Sequence, residues 1–266
     1  ELSAEDEETL GNAFNLGRQL HDGQLRASGE SYFDGHCIPV SRHVASLQMG
    51  ADMIAAALLH DTIEDTSVTY DELAKHCGQD IADMVDAVSK LSKVRFHGNE
   101  RHVESLRKFF VAIAQDVRVV VIKLCDRWHN LETLEYLRPD KQQRIAKESI
   151  FIHAQLASRL NMGKLASTLR DLAFPYAYPD EYRKTIKAIG VSRDRATIAA
   201  TTIHSELSEL GSKVLQYEPA VDVRVKGLYS TYEKLERKHW NINLIHDLVA
   251  LRVIVRSVDD CYRMLG

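Results

Sequence analysis

Apolar residues recur at helical spacing through the first two thirds of the chain. Leu10, Ala13, Phe14 and Leu20, then Val40, Val44 and Leu47, then Ile81, Met84, Val85, Val88 and Leu91 fall on single faces of amphipathic helices. Start and stop signals agree: Thr69 and Glu72 have capping-box spacing, Gly78 terminates a helix, and Asp116 stands ready to cap VRVVVIKLCDRWHNL. That run is β-branched enough to suggest a strand, but Leu124, Trp128, Leu131 and Leu134 continue the helical spacing, so a buried helix is predicted. An all-α domain over 1–175 follows. FPYAYPD at 174–180 holds two prolines and two tyrosines, breaks the helical pattern and marks a boundary, with Pro179 suited to the first position of a new helix. Residues 176–212 are predicted as linker helices, two of them between Glu181 and Gly211. Near Lys213 the pattern changes: VLQYEP and VDVRVK read as strands, LYSTYEKLERKHW as a helix and DLVALRVIVRS as a buried strand. The fold class is therefore mainly α, with a short α/β segment at 213–266.

One apolar helix ends in charge. MIAAALLHDTIEDT, from Met53 to Thr66, runs directly into His60, Asp61, Glu64 and Asp65, and carboxylates are costly to bury unless paired or bound to metal. Neighbouring residues on a helix point about 100° apart, so His60 and Asp61 converge on one ion only at a helix end or bend, with ligands supplied from elsewhere. His36, just before CIPVSRHVASL, and Asp126, inside an apolar stretch, are the candidates. Two imidazoles and two carboxylates suit Mn²⁺, Fe²⁺ or Zn²⁺ better than Ca²⁺. The bland readings are a surface His-Asp pair and an Asp126 that pairs with Arg127 or caps a helix, while His43, His76 and His129 read as structural or solvated.

Composition narrows the partners. The 266 residues carry a net charge of −4, which gives no general attraction to nucleic acid or acidic membrane, so a small phosphorylated ligand fits better than a duplex. Cys37, Cys77, Cys125 and Cys261 are scattered and read as reduced thiols. The longest apolar run, Met53 to Leu59, is far short of a membrane span, and the acidic stretch Glu5 to Glu8 is unlike a signal peptide. A cytoplasmic protein is expected.

Four blocks, HDGQLRASGESYFDGHCIPV at 21–40, AAALLHDTIEDT at 55–66, ESLRKFFVAIAQDVRVVVIKLCDRWHNLETL at 104–134 and QRIAKESIFIHAQLASRLNM at 143–162, resemble the HD-type phosphohydrolases, specifically the hydrolase domain of the RelA/SpoT homologues. The resemblance implies an all-α HD-type bundle that removes the 3′-pyrophosphate of guanosine tetra- and pentaphosphate with Mn²⁺. It makes His36, His60, Asp61 and Asp126 the metal ligands and gives Glu64 and Asp65 the attacking water. Arg26, Ser28, Asn130 and Thr133 become nucleotide contacts, with Asn130 also counted in the catalytic set. Asn130 and Thr133 lie on the helical face of Asp126, where the resemblance places ribose and 3′-phosphates. There are departures: Ala27 replaces a residue that is often basic, VRFHGNERH after Lys93 is shorter than in relatives, and one extra residue stands between Tyr32 and His36. The last leaves the position of Tyr32 open.

In the tail, RVKGLYSTYEKLERK at 224–238 and HDLVALRVIV at 246–255 resemble the opening of the same family's synthetase domain, a nucleotidyltransferase-like α/β fold. Arg224, Lys226, Lys234, Arg237 and Lys238 form a basic cluster suited to a triphosphate. By the resemblance Ser230 falls in an ATP site and Asp247 is a Mg²⁺-binding carboxylate, and the match then stops. Synthesis is expected of a full-length protein but not of this chain, and ribosome contact only through C-terminal domains beyond it. Two rival functions stand beside alarmone hydrolysis. One is an HD-type enzyme for another nucleotide, such as a nicotinamide dinucleotide 2′-phosphate or a nucleoside monophosphate, and the other a catalytically silent nucleotide sensor.

Overall fold

Alanines at 55, 56 and 57 let neighbouring helices approach closely, and the first unit of the chain is built around them. The structure is a computed structural model describing residues 3–92, 111–112, 114–245 and 247–266; the expectation for VRFHGNERH lies outside these. The chain folds as two compact units, Glu1–Ala173 and Phe174–Gly266. In the first unit the Ala51–Leu58 helix packs against the helices Ala4–Leu20, Ile38–Ser46, Gln79–Ser92 and Val117–Glu132. Ala55, Ala56, Ala57, Leu59, Val40, Val44, Ile122 and Cys125 are all buried in one core. Gly17 marks a close approach: a Cβ there would stand 2.6 Å from the Phe33 ring and 3.3 Å from the Leu58 carbonyl oxygen.

Helix ends follow the local chemistry. Thr69 and Glu72 form a reciprocal capping box, Gly78 ends the Tyr70–Cys77 helix at φ 86°, and the Asp116 side chain accepts the Arg118 backbone N–H at 2.8 Å. The predicted buried helix is Val117–Glu132, with Val119 to Ile122, Leu124, Cys125 and Leu131 inside. Among the described residues π turns occur at Phe33–Cys37 and Ser149–His153.

FPYAYPD ends one helix and opens the next at Tyr178–Pro179, with Pro179 at the first helical position, although its first four residues are still helical. The Gly163–Ala177 helix runs through Pro175 and ends only at Tyr178, with φ −142°, because buried Phe174 and Ala177 keep the last turn packed. The division between units falls inside that helix. The run Pro179–Leu215 is two helices meeting at Gly190, whose φ 18° and ψ −121° leave the helical region.

VLQYEP is not a strand. Val214 and Leu215 finish the preceding helix, with Leu215 buried and Gln216 left-handed at φ 60°. β1 is Ala220–Val225 and pairs antiparallel with β2, Val249–Ile254. β2 alternates half-buried and exposed residues instead of being buried throughout, since one face lies on the Pro179–Leu215 helices. The predicted helix is Leu228–Arg237.

Candidate metal centre

Three segments far apart in sequence deliver the charged side chains to one place. The Ala51–Leu58 helix stops at Leu59, and Thr62 clamps the following turn by donating its hydroxyl to the Leu59 carbonyl at 2.6 Å. His60 and Asp61 sit in that turn, before the single helical turn Thr62–Asp65, so adjacent residues converge where a continuing helix would splay them. The π turn supplies His36. Its wide bond, Ile38 N–H to the Phe33 carbonyl, spans five residues and absorbs one extra residue without breaking the helix. Tyr32 and His36 therefore both face the centre.

His36, His60 and Asp126 each bring one ligand atom within 4.8 Å of the others. Asp126 Oδ1 is 3.4 Å from His36 Nε2 and 4.0 Å from His60 Nε2. Asp61 joins them, its Oδ2 3.1 Å from His60 Nε2 and 3.4 Å from His36 Nε2, and it accepts the Tyr32 hydroxyl at 2.6 Å. His60 is fully buried; its Nδ1 lies 2.8 Å from the Ala57 carbonyl, which accepts the proton there. In the neutral ring Nε2 then offers its lone pair to the cluster, and it is buried without a hydrogen-bond partner. A buried orphan nitrogen facing two carboxylates is the donor arrangement that a divalent cation satisfies.

The electrostatics point the same way. Burial pushes the Asp61 and Asp126 carboxyls up, but the imidazoles beside Asp61, and Lys123 with the imidazoles beside Asp126, hold both well below the usual carboxylate range. Burial works against charge on His60, yet Asp61 and Asp126 raise it to about 9. The pocket draws positive charge, whether a proton or a metal ion. Lys123 Nζ, 2.6 Å from Asp126 Oδ2, and Asn130, donating Nδ2 to Asp126 Oδ1 at 2.6 Å, orient that carboxylate.

Around this cluster the other predicted residues take different places. Glu64 and Asp65 are exposed, one turn beyond Asp61, and the Asp65 carbonyl accepts Gln24 Nε2 at 3.0 Å. Arg26 is half-buried, donating Nη1 to the Gly35 carbonyl at 2.7 Å and Nη2 to Thr133 Oγ1 at 3.1 Å. Ser28 lies in the turn closed by the Gly29 N–H on the Arg26 carbonyl, with Gly29 at φ 86°, and donates to Glu30 at 3.3 Å. Thr133 ends its helix and donates to the His129 carbonyl at 3.1 Å.

Of the histidines read as structural or solvated, His76 is exposed and His43 stacks on Trp128 with centroids 3.9 Å apart. His129 is buried, its Nδ1 2.9 Å from His36 Nδ1 and 3.2 Å from Arg26 Nη1. Tyr32 and Lys123 also enter the site without having been singled out for it. The spacing of Lys123 and His129, each three residues from Asp126, with Asn130 four after it, is the available signal.

In the second unit Lys226 Nζ lies 3.0 Å from Asp247 Oδ2 and Lys234 contacts the same oxygen. Lys234 and Lys226 pull the Asp247 carboxyl down to about 2. Arg224 is exposed on β1, and Ser230 is half-buried on the Leu228–Arg237 helix.

A helical domain with a His-His-Asp cluster and an adjacent His-Asp pair defines a class, and the chain belongs to the HD-domain family, whose model matches residues 13–163. It also carries, at 223–266, the region found in RelA / SpoT proteins. It is 40% identical over 265 residues to a protein of Vibrio cholerae named guanosine-3′,5′-bis(diphosphate) 3′-pyrophosphohydrolase, covering 97% of this chain and 37% of that one. With the bifunctional (p)ppGpp synthase/hydrolase SpoT of Escherichia coli it shares 39% over 262 residues, 97% of this chain and 36% of that one. With a GTP pyrophosphokinase of Myxococcus xanthus it shares 36% over 266 residues, 98% of this chain and 35% of that one. The chain thus spans little more than a third of the length of these relatives. Its HD domain and its donor set imply a divalent metal. No helix among the described residues is long and apolar enough to cross a membrane.

Proposed function

We propose that this chain hydrolyses the 3′-pyrophosphate of guanosine tetra- and pentaphosphate, yielding GDP or GTP and pyrophosphate, with Mn²⁺ held by His36, His60, Asp61 and Asp126. The observation that carries the reading is the buried, partnerless His60 Nε2 facing Asp61 and Asp126, in a chain whose HD and RelA/SpoT segments stand together. The relatives named for this activity supply the substrate. A divalent ion in such a set lowers the pKa of water toward neutrality and offsets phosphate charge. Glu64 and Asp65, one turn past the ligands, take the proton of the attacking water and orient it. Arg26, Ser28 and Thr133 hold the nucleotide, and Asn130, steadied by Asp126, uses its remaining amide hydrogen and carbonyl on the ribose. The hydrolase occupies 1–175 and the linker helices 176–212. Residues 213–266 are the first part of a synthetase-like segment, where Lys226, Lys234 and Asp247 form the start of a Mg²⁺-nucleotide site.

The test is release of pyrophosphate from guanosine tetraphosphate with Mn²⁺, run beside His60→Ala and Asp65→Ala. Both variants are expected to retain the wild-type helical circular dichroism and to lose turnover by at least about 10²-fold, the usual weight of a positioned proton acceptor. Full activity in either, or no wild-type activity on this substrate while another phosphorylated nucleotide is cut, sinks the assignment.

A further inference from the structure

His129 belongs neither to the ligand set nor to the nucleotide contacts, yet one of its atoms touches a member of each. Its ring is buried, with centroids 5.0 Å from His36 and 6.3 Å from His43. A guanidinium has donors and no acceptor, so in the contact with Arg26 Nη1 at 3.2 Å the His129 Nδ1 is the acceptor and carries no proton. The same nitrogen lies 2.9 Å from His36 Nδ1, and that proton must then reside on His36. A His36 protonated at Nδ1 presents the Nε2 lone pair to Asp61 and Asp126, 3.4 Å from each. This is the tautomer a metal ligand needs, and a ligating imidazole is typically held in it by a hydrogen bond from its other nitrogen.

We propose that His129 is the positioning residue of this centre: a single lone pair fixes the tautomer of His36 and anchors Arg26, so the ion and the nucleotide side are held through one atom. The proposal rests on reading the cluster as a divalent metal site. It predicts a role in metal affinity that a core histidine lacks. Phenylalanine at 129 keeps a ring and removes the acceptor, whereas asparagine places Oδ1 near the position of Nδ1 and restores it.

The full chain, stripped with EDTA and dialysed, is titrated with Mn²⁺ in a calorimeter as wild type, His129→Phe and His129→Asn. His129→Phe is expected to bind about 10–100-fold more weakly, His129→Asn to recover most of the loss, and the metal-free variants to melt close to one another. Long-range ¹H–¹⁵N correlation of the metal-free wild type, independent of any substitution, is expected to show His36 protonated at Nδ1 and His129 at Nε2. Mn²⁺ affinity of His129→Phe within about twofold of wild type, no recovery in His129→Asn, or a His36 protonated at Nε2 overturns the proposal and leaves the metal site standing. A wild type that binds no Mn²⁺ removes the metal site and the proposal together.

Discussion

Tyr32 shows how a residue outside the ligand set can govern it. Its hydroxyl donates to the Asp61 oxygen that faces both imidazoles, and its ring stacks on His21 at 5.1 Å and meets His36 edge-on at 5.3 Å. Burial and the Asp61 charge push the phenol well above its ordinary pKa, so it stays a donor. Tyr32→Phe keeps the ring and frees Asp61 to rotate; Mn²⁺ affinity is expected to fall about tenfold, at the low end for such partners, with an unchanged melting temperature before metal is added. Calorimetric titration checks this. The charged residues His60, Asp61 and Asp126 were conspicuous in the sequence because each interrupts an apolar run. Tyr32, Lys123 and His129 were not, because a tyrosine, a lysine and a histidine are ordinary on a half-buried helix until the chain folds and shows what their polar atoms meet.

Among the elements, the Ala4–Leu20 helix sets the height of the π turn through Gly17. With the Phe33 ring already fully buried, Gly17→Ala puts a methyl group 2.6 Å from a ring carbon, and either the helix or the turn must give way. The expected loss is about 1–3 kcal/mol, the usual cost of overpacking, read as a lower urea midpoint. Mn²⁺ affinity should fall with it, because the displaced turn carries His36. The helices of the first unit were legible from periodicity and caps, as Thr69, Gly78 and Asp116 show. Where packing overrode composition the sequence misled: Pro175 lies within a helix because Phe174 and Ala177 are buried around it, and the β-branched Val214 ends a helix because Leu215 has a core to enter. The π turn at Phe33–Cys37 was not visible in the pattern, since periodicity does not distinguish a widened turn from a loop.

For the whole molecule, buried imidazoles set the response to pH once metal is removed. Burial holds His129 at about 3 and keeps His153 well below its ordinary range. The unfolded chain takes up protons at both near pH 6.5 while the folded chain does not, so stability falls on acidification at about 1.4 kcal/mol per pH unit for each. His60 runs the other way. Raised to about 9, it contributes stability in full below about pH 6.5, and that contribution is lost as the pH climbs through 9. Urea midpoints of the EDTA-treated chain are therefore expected to peak near neutrality and to decline on both sides. An ion bound to His36, His60, Asp61 and Asp126 is a cross-link, tying the first helices of the chain to Val117–Glu132 and closing long loops that the unfolded chain would otherwise explore. Its stabilisation grows with the logarithm of free metal, reaching about 2.7 kcal/mol at a hundredfold excess over the dissociation constant. The melting temperature of the protein should thus climb steadily across decades of Mn²⁺ concentration, making its thermal transition a gauge of the metal available to it.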